Sequence, residues 1–182
     1  MSQAMFLQNE TIYLRALEPE DLDILLKWEN NTDYWEYGST NTPFSRLMLR
    51  QYLIDSQNND IYQSRQLRLM IQTQEEISQI VGAVDLYEYD PHNNRAGLGI
   101  IVEDRHQGKH YAMNALQLMI DYAFGCLHIH QLYVHVALDN EKSVNLFGKL
   151  NFEVSGTLKQ WKRCKDGYKD VYIMQLMNNG KL

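Results

Sequence analysis

Cysteine, proline and positive charge are all scarce in this chain. Its 182 residues include 2 Cys and 3 Pro. Two cysteines make no disulfide framework, so a reducing, cytoplasmic setting is the expectation. The first residues, Met1-Ser2-Gln3-Ala4-Met5, lack the basic and apolar stretches of a secretory signal. No apolar run approaches the roughly 20 residues that a bilayer requires, so no membrane partner is expected. Lys and Arg number 17 against 23 Asp and Glu, a net charge of -6, which argues against general nucleic-acid binding. Repeats, linkers and low-complexity segments are also missing, and the length suits one domain, residues 1–182, with a sizeable core.

What is there has the pattern of a folded α/β (α+β) protein, 45% hydrophobic and 22% charged. Thr11-Ile12-Tyr13-Leu14-Arg15 alternates as a strand, and Pro19 opens a helix with Leu22, Leu25 and Leu26 inward. A polar, aromatic loop from Asn30 to Pro43 leads to a helix from Ser45 to about Ser56, ended by Asn58-Asn59-Asp60. Strands follow near Gln66–Thr73, Ile80–Tyr89 and Arg95–Val102, then a long helix, a strand at Gln131–Leu138 and a helix at Glu141–Leu150. Asp166-Gly167 turns a final hairpin between Leu158–Lys165 and Tyr168–Met177.

One stretch carries chemistry. The apolar run Leu98-Gly99-Ile100-Ile101-Val102 is followed by Gln107-Gly108-Lys109-His110-Tyr111-Ala112, and then by Ala115, Leu116, Met119, Tyr122 and Ala123 at helical spacing. A buried strand, a turn with Gly, Lys and His, and a helix start make an anion site, because the first helical amides have no internal partners. Arg105 and His106 add donors, and a pyrophosphate fits as the guest. Taken alone, the stretch reads equally as an ordinary turn with solvated basic residues.

A second feature is acidic. Glu18, Glu20, Asp21, Asp23, Glu29, Asp33 and Glu36 crowd one segment opposed by Lys27. Glu20 and Asp21 read as a solvated first helical turn. Among Trp28, Tyr34, Trp35 and Tyr37, the acids Glu29, Asp33 and Glu36 form a candidate surface for a cationic amine. His128 with His130, or His106 with His110, lack supporting carboxylates or thiolates, so no metal is expected. Cys126 and Cys164 have no case as nucleophiles, and Trp161 and Asp170 read as structural.

In this order the pieces resemble the GNAT superfamily of acetyl-CoA-dependent N-acetyltransferases. The matching residues are Ile80-Val81-Gly82, Arg95-Ala96-Gly97-Leu98-Gly99-Ile100, the Gln107–Ala112 turn, and Asp139-Asn140-Glu141-Lys142-Ser143 before Phe147-Gly148-Lys149-Leu150-Asn151-Phe152. Within the superfamily the likeness is to the spermidine/spermine and the ribosomal-protein N-terminal acetyltransferases. The resemblance implies a mixed, mostly antiparallel sheet of about seven strands flanked by four helices. It implies that the Ile100, Ile101 and Val102 backbone pairs with the pantetheine arm of acetyl-CoA, and that Gln107, Gly108, Lys109, His110, Tyr111 and Ala112 wrap its pyrophosphate. Asn140 would bond the pantetheine chain, Lys142 and Ser143 would lie near the far end of the cofactor, and Phe147 would pack beside the thioester.

Four positions depart from the family. His110 stands where Gly is usual and Asn151 replaces a common Gly. Phe147 replaces the Tyr proposed to protonate the leaving thiolate, and Gly97 replaces a Glu aimed at the amine through water. Asp85 and Glu88 lie near the end of the third strand, on opposite faces by period-two geometry, and Asp85 is the candidate base. Tyr133 and His135 share a face of the fifth strand and read as packing. The implied reaction is direct attack of a primary amine, most simply a small polyamine, on the acetyl thioester. A protein N-terminus as acceptor, or a non-catalytic acetyl-CoA-binding module, is the alternative, and a homo-oligomer follows by analogy.

Overall fold

The computed structural model describes residues 6–35, 38 and 41–180. Seven strands, β1 (Ile12–Arg15), β2 (Leu67–Thr73), β3 (Ile80–Asp90), β4 (Arg95–Val102), β5 (Gln131–Ala137), β6 (Glu153–Cys164) and β7 (Gly167–Met177), form one sheet in the order β1-β2-β3-β4-β5-β7-β6. Every neighbouring pair is antiparallel except β4 with β5, so the sheet is mixed and mostly antiparallel, as the resemblance implied.

Four helices of eight residues or more flank it: α1 (Leu22–Glu29), α3 (Arg46–Asn58), α5 (Tyr111–Gly125) and α6 (Glu141–Lys149). Single helical turns, α2 (Thr32–Trp35) and α4 (Ile61–Ser64), add to the expected four. The α4 turn follows the predicted break because Asp60 accepts from the Gln63 amide at 2.9 Å and Gln63 returns a bond to the Asp60 amide. The helix expected at Pro19 starts as a 3-10 turn, Pro19–Asp21. There Asp21 is buried and clamped by both terminal nitrogens of Arg15, at 2.7 and 2.8 Å, which corrects the reading of Asp21 as solvated.

The two sheet faces carry separate cores. On one, Ala115, Leu116, Met119 and Ala123 of α5 cover Val84, Leu86, Leu98, Leu132 and Val134. On the other, Leu25 and Trp28 of α1 and Leu49 and Leu53 of α3 cover Met70 and Ala83. This second layer stops short of β5, where Tyr133 and His135 face outward between the buried Leu132, Val134 and Val136.

The sheet forks at its centre. Strands β4 and β5 pair only through Arg95, Ala96 and Gly97 with Gln131, Leu132 and Tyr133. Beyond that point β4 continues beside β3 to Val102 and β5 beside β7 to Ala137. Past Gly97, therefore, backbone groups of β4 on its β5 side have no strand to pair with.

Candidate active site

Ile100, Ile101 and Val102 lie on this unpaired arm of the fork. Ile100 and Val102 lean into the α5 core and Ile101 into the α1–α3 core, so their side chains anchor the strand and the backbone is what the fork offers. An extended amide-containing chain could join there as an added strand.

The chain leaves β4 through Glu103 and a 3-10 turn, Asp104–His106, into the helix start. Gln107, Gly108, Lys109 and His110 are all exposed, with Gly108 at φ +79° and space around it. His110 is the N-cap of α5 at φ +61°, and its side chain makes no capping bond. It thus takes the left-handed conformation that Gly would supply, so the wrap of the turn is retained. The first amides of a 15-residue helix are left open, which is the donor set a pyrophosphate needs. Ala112 lies in this first turn, while the Tyr111 ring is buried in the core, leaving its amide as the group it can present.

Asn140 caps α6, its side-chain oxygen accepting from the Ser143 amide at 3.1 Å. The cap leaves the Asn140 amide nitrogen to donate elsewhere. Lys142 is exposed and Ser143 partly so. Phe147 turns inward, 5% exposed and edge-on to Phe152 at 5.3 Å between ring centres.

On the sheet face toward α1 and α3 the candidate base is already paired. Asp85 faces the α1–α3 side, but both its oxygens accept from Arg68, Oδ1 from Nε at 2.6 Å and Oδ2 from Nη2 at 3.3 Å. Arg68 also donates to Glu29 at 2.6 Å and lies over the Tyr52 ring. Burial opposes the charge of Arg68, and Asp85, Tyr52 and Glu29 outweigh it, leaving its pKa raised. To act as a base, Asp85 would first have to leave a bidentate ion pair. Gly97, where a Glu was missed, is covered by the Tyr87 ring: a Cβ there would overlap the ring carbons. Burial pushes the Tyr87 hydroxyl up to about 12. Tyr87 meets Tyr133 edge-on at 6.2 Å, and Tyr133 donates to Glu88 Oε2 at 2.9 Å. Tyr133 and His135, read as packing, are therefore half-open and exposed respectively, with the Trp161 ring stacked on His135 at 6.4 Å.

Part of the acidic early segment is engaged inside the protein. Trp28 is 3% exposed and its indole donates to Glu103 at 2.9 Å. Glu29 is held by Arg68, and the Trp35 indole donates to the Glu29 carbonyl at 2.6 Å. Tyr34 packs against the α1–α3 core, and Asp33 is exposed. Trp28 is thus enclosed and Glu29 paired, while Tyr34 and Trp35 remain partly exposed. Glu36 lies outside the described residues. Among the described residues, no group of three or more His, Cys, Asp or Glu is gathered for a metal ion, and no helix is long and apolar enough to cross a membrane.

Sequence reasoning missed Glu103, buried and ringed by Lys27 Nζ, Trp28 Nε1 and Arg105 Nε at 2.7, 2.9 and 2.7 Å. Burial works against its charge, but these donors lower its pKa to about 2. Nothing in a lone Glu after an apolar run signals such a clamp. Arg68 was missed as well, since one Arg in an alternating strand reads as solvent-facing. The alternating Gly97 and Gly99 could have pointed to a large ring across them, because glycines in a strand leave room for one.

A forked sheet with an uncapped helix directly after one arm is the arrangement that the resemblance implied for an acetyl-CoA site. Residues 11–153 match the family model described as acetyltransferase (GNAT) domain, and the chain belongs to that family. It is similar to the spermidine N(1)-acetyltransferase of Escherichia coli K12, 31% identical over 148 residues that cover 81% of this chain and 76% of the relative. Among solved structures it is similar to spermidine N-acetyltransferase from Vibrio cholerae in complex with CoA and spermine, with TM-score 0.83, 27% identity, and coverage of 93% of this chain and 97% of that one. A dodecameric structure of the Vibrio cholerae enzyme in an intermediate state has TM-score 0.80 and 28% identity, covering 96% of this chain and 98% of that one.

Proposed function

We propose that this chain, as one domain over residues 1–182, moves an acetyl group from acetyl-CoA to a primary amine of a small polyamine. The observation that carries the reading is the fork beside the uncapped α5 end, in a chain similar over most of its length to an enzyme solved with CoA and spermine. Amides of the α5 start and Gly108 would receive the pyrophosphate, and the β4 backbone from Gly97 to Val102 would align the pantetheine arm. Acetyl-CoA supplies an activated carbonyl and a thiolate leaving group whose thiol has a pKa of about 8.5. That leaving group makes an enzymatic acid less necessary, which suits the buried Phe147 phenyl ring in place of a phenol.

An alkylamine, with a pKa of about 10.4, must shed a proton before it attacks. Carboxylates on the acceptor side attract the ammonium form and the open fork admits water to take the proton. By analogy with the dodecameric neighbour, the chain works as a homo-oligomer, which light scattering on the purified protein would measure.

The decisive experiment is thiol release from acetyl-CoA across spermidine, spermine, small amines, amino acids and short peptides with free N-termini. Saturable release with polyamines supports the proposal. Release with peptides alone assigns the N-terminal class instead. Acetyl-CoA binding without release on any amine assigns a binding module, for which Phe147 and Gly97 are the structural grounds.

A further inference from the structure

Glu88 points where regular strand geometry would not send it. Strand β3 breaks register against β4 between Tyr87 and Asp90, and Glu88 sits in the bulge at φ +49°. Leu86 and Tyr89, three residues apart, both pack into the α5-side core. Tyr87 and Glu88 are consequently neighbours on the opposite face, where Glu88 meets the Tyr133 hydroxyl. The bulge is held from behind: the Tyr89 amide donates to the Arg65 carbonyl at 3.0 Å and the Tyr89 ring packs edge-on to Tyr62 at 5.6 Å. A left-handed, non-glycine residue costs free energy, and here the surrounding contacts maintain it.

The position is also chemically distinctive. Tyr133 is the last residue of β5 paired with β4, so Glu88 and Tyr133 stand at the point where the strands part. The rings of Tyr87, Tyr133, His135 and Trp161 continue from this corner as one aromatic surface, the last brought there by a second bulge in β6, between Leu158 and Lys162, with Gln160 at φ +48°. Of the nearby cations, Arg95 is turned to Asp90 at 3.6 Å and Arg68 is fully engaged by Asp85 and Glu29. Glu88 is exposed and accepts one bond from a neutral phenol. A carboxylate beside aromatic faces is the chemistry that receives an ammonium group.

We infer that Glu88, re-aimed by the β3 bulge and oriented by Tyr133, is the anionic anchor that holds an ammonium group of the acceptor at the mouth of the fork. The inference deepens the proposed acetyl transfer and rests on it for the identity of the acceptor. It also replaces Asp85 as the acceptor-side carboxylate. Tyr133 acts through Glu88, as a positioning residue.

The test uses the intact protein with two variants, Glu88→Gln and Glu88→Gly, reading CoA release with spermidine, calorimetric binding of spermidine to the CoA-loaded protein, and thermal melting. In both variants KM for spermidine rises about tenfold while kcat changes less than about threefold, and binding weakens in parallel. Glu88→Gly should melt no lower than wild type, because glycine accepts φ +49° without strain, so a loss of affinity there is not a loss of fold. Wild-type KM and binding in both variants overturn the inference. If wild-type protein acetylates no amine, the proposed function fails separately, and binding alone decides the site: affinity that falls in Glu88→Gln supports the anchor, whereas affinity unchanged, or no spermidine binding by wild type, overturns it.

Discussion

Three residues take conformations or neighbours that their chemistry alone does not suggest. Gly97 and Tyr87 form a cross-strand pair in which the missing side chain of one admits the ring of the other. Gly97→Ala should therefore destabilise the fold by about 1–3 kcal/mol, the usual range for overpacking, and Tyr87→Val in the same chain should recover most of that. Urea denaturation of the single and double variants measures it; an additive result would mean the ring yields elsewhere. The same pair explains why restoring a Glu at Gly97 would fail with Tyr87 in place. His110 holds the left-handed φ of +61° at the α5 N-cap, so the backbone wrap does not depend on a glycine. His110→Gly should leave KM for acetyl-CoA within about threefold and the melting temperature equal or slightly higher. A tenfold weaker KM would assign the imidazole a direct contact with the cofactor.

Helix ends and strand pairings decide which parts of the site were visible beforehand. Asn140 is proposed to join two roles, since its oxygen caps α6 and its nitrogen takes no part in that cap. Asn140→Asp keeps an N-cap acceptor but removes that donor, while Asn140→Ala removes both. We expect Asn140→Asp to retain wild-type stability, and Asn140→Ala to lose about 1 kcal/mol, with KM for acetyl-CoA raised in each. Melting curves alongside kinetics separate the two roles. The α5 start and the succession of strands along the chain were legible because local chemistry sets them: a Gly-Lys turn after an apolar run, alternation along each strand. Glu88 was not, because period two holds only for regular strands and its bulge comes from packing of Tyr89 against Tyr62 and Arg65. The partners of Trp28 and Glu29 were hidden for a related reason. Composition suggested a cation site, but their partners, Glu103 and Arg68, lie 75 and 39 residues away in sequence.

At the scale of the whole molecule, those long-range partners fasten the α1–α3 layer to the sheet. Arg68 on β2 ties Glu29 of α1 to Asp85 of β3, and Glu103, at the exit of β4, takes Lys27 and Trp28 of α1 together with Arg105 of the turn that leads to α5. The clamp on Glu103 makes stability depend on pH in a definite direction. Its carboxyl ionises at about 2 in the folded protein against about 4.3 when unfolded. A depressed folded value means the unfolded chain takes up the proton first, so the contribution is full above about pH 4.3 and disappears as pH falls through about 2. Each pKa unit corresponds to about 1.4 kcal/mol, which puts the contribution on the order of 3 kcal/mol. Glu103→Gln is then expected to be less stable near neutrality by a comparable amount, and to lose stability less steeply than wild type between about pH 4.3 and 2. Urea midpoints followed by tryptophan fluorescence test both, because Trp28 reports on the clamp itself. Parallel acid limbs in the two proteins would place the acid sensitivity in other carboxylates and leave Glu103 as a packing residue. With the predicted divergence, the residue that follows β4 also governs how firmly α1 sits on the sheet.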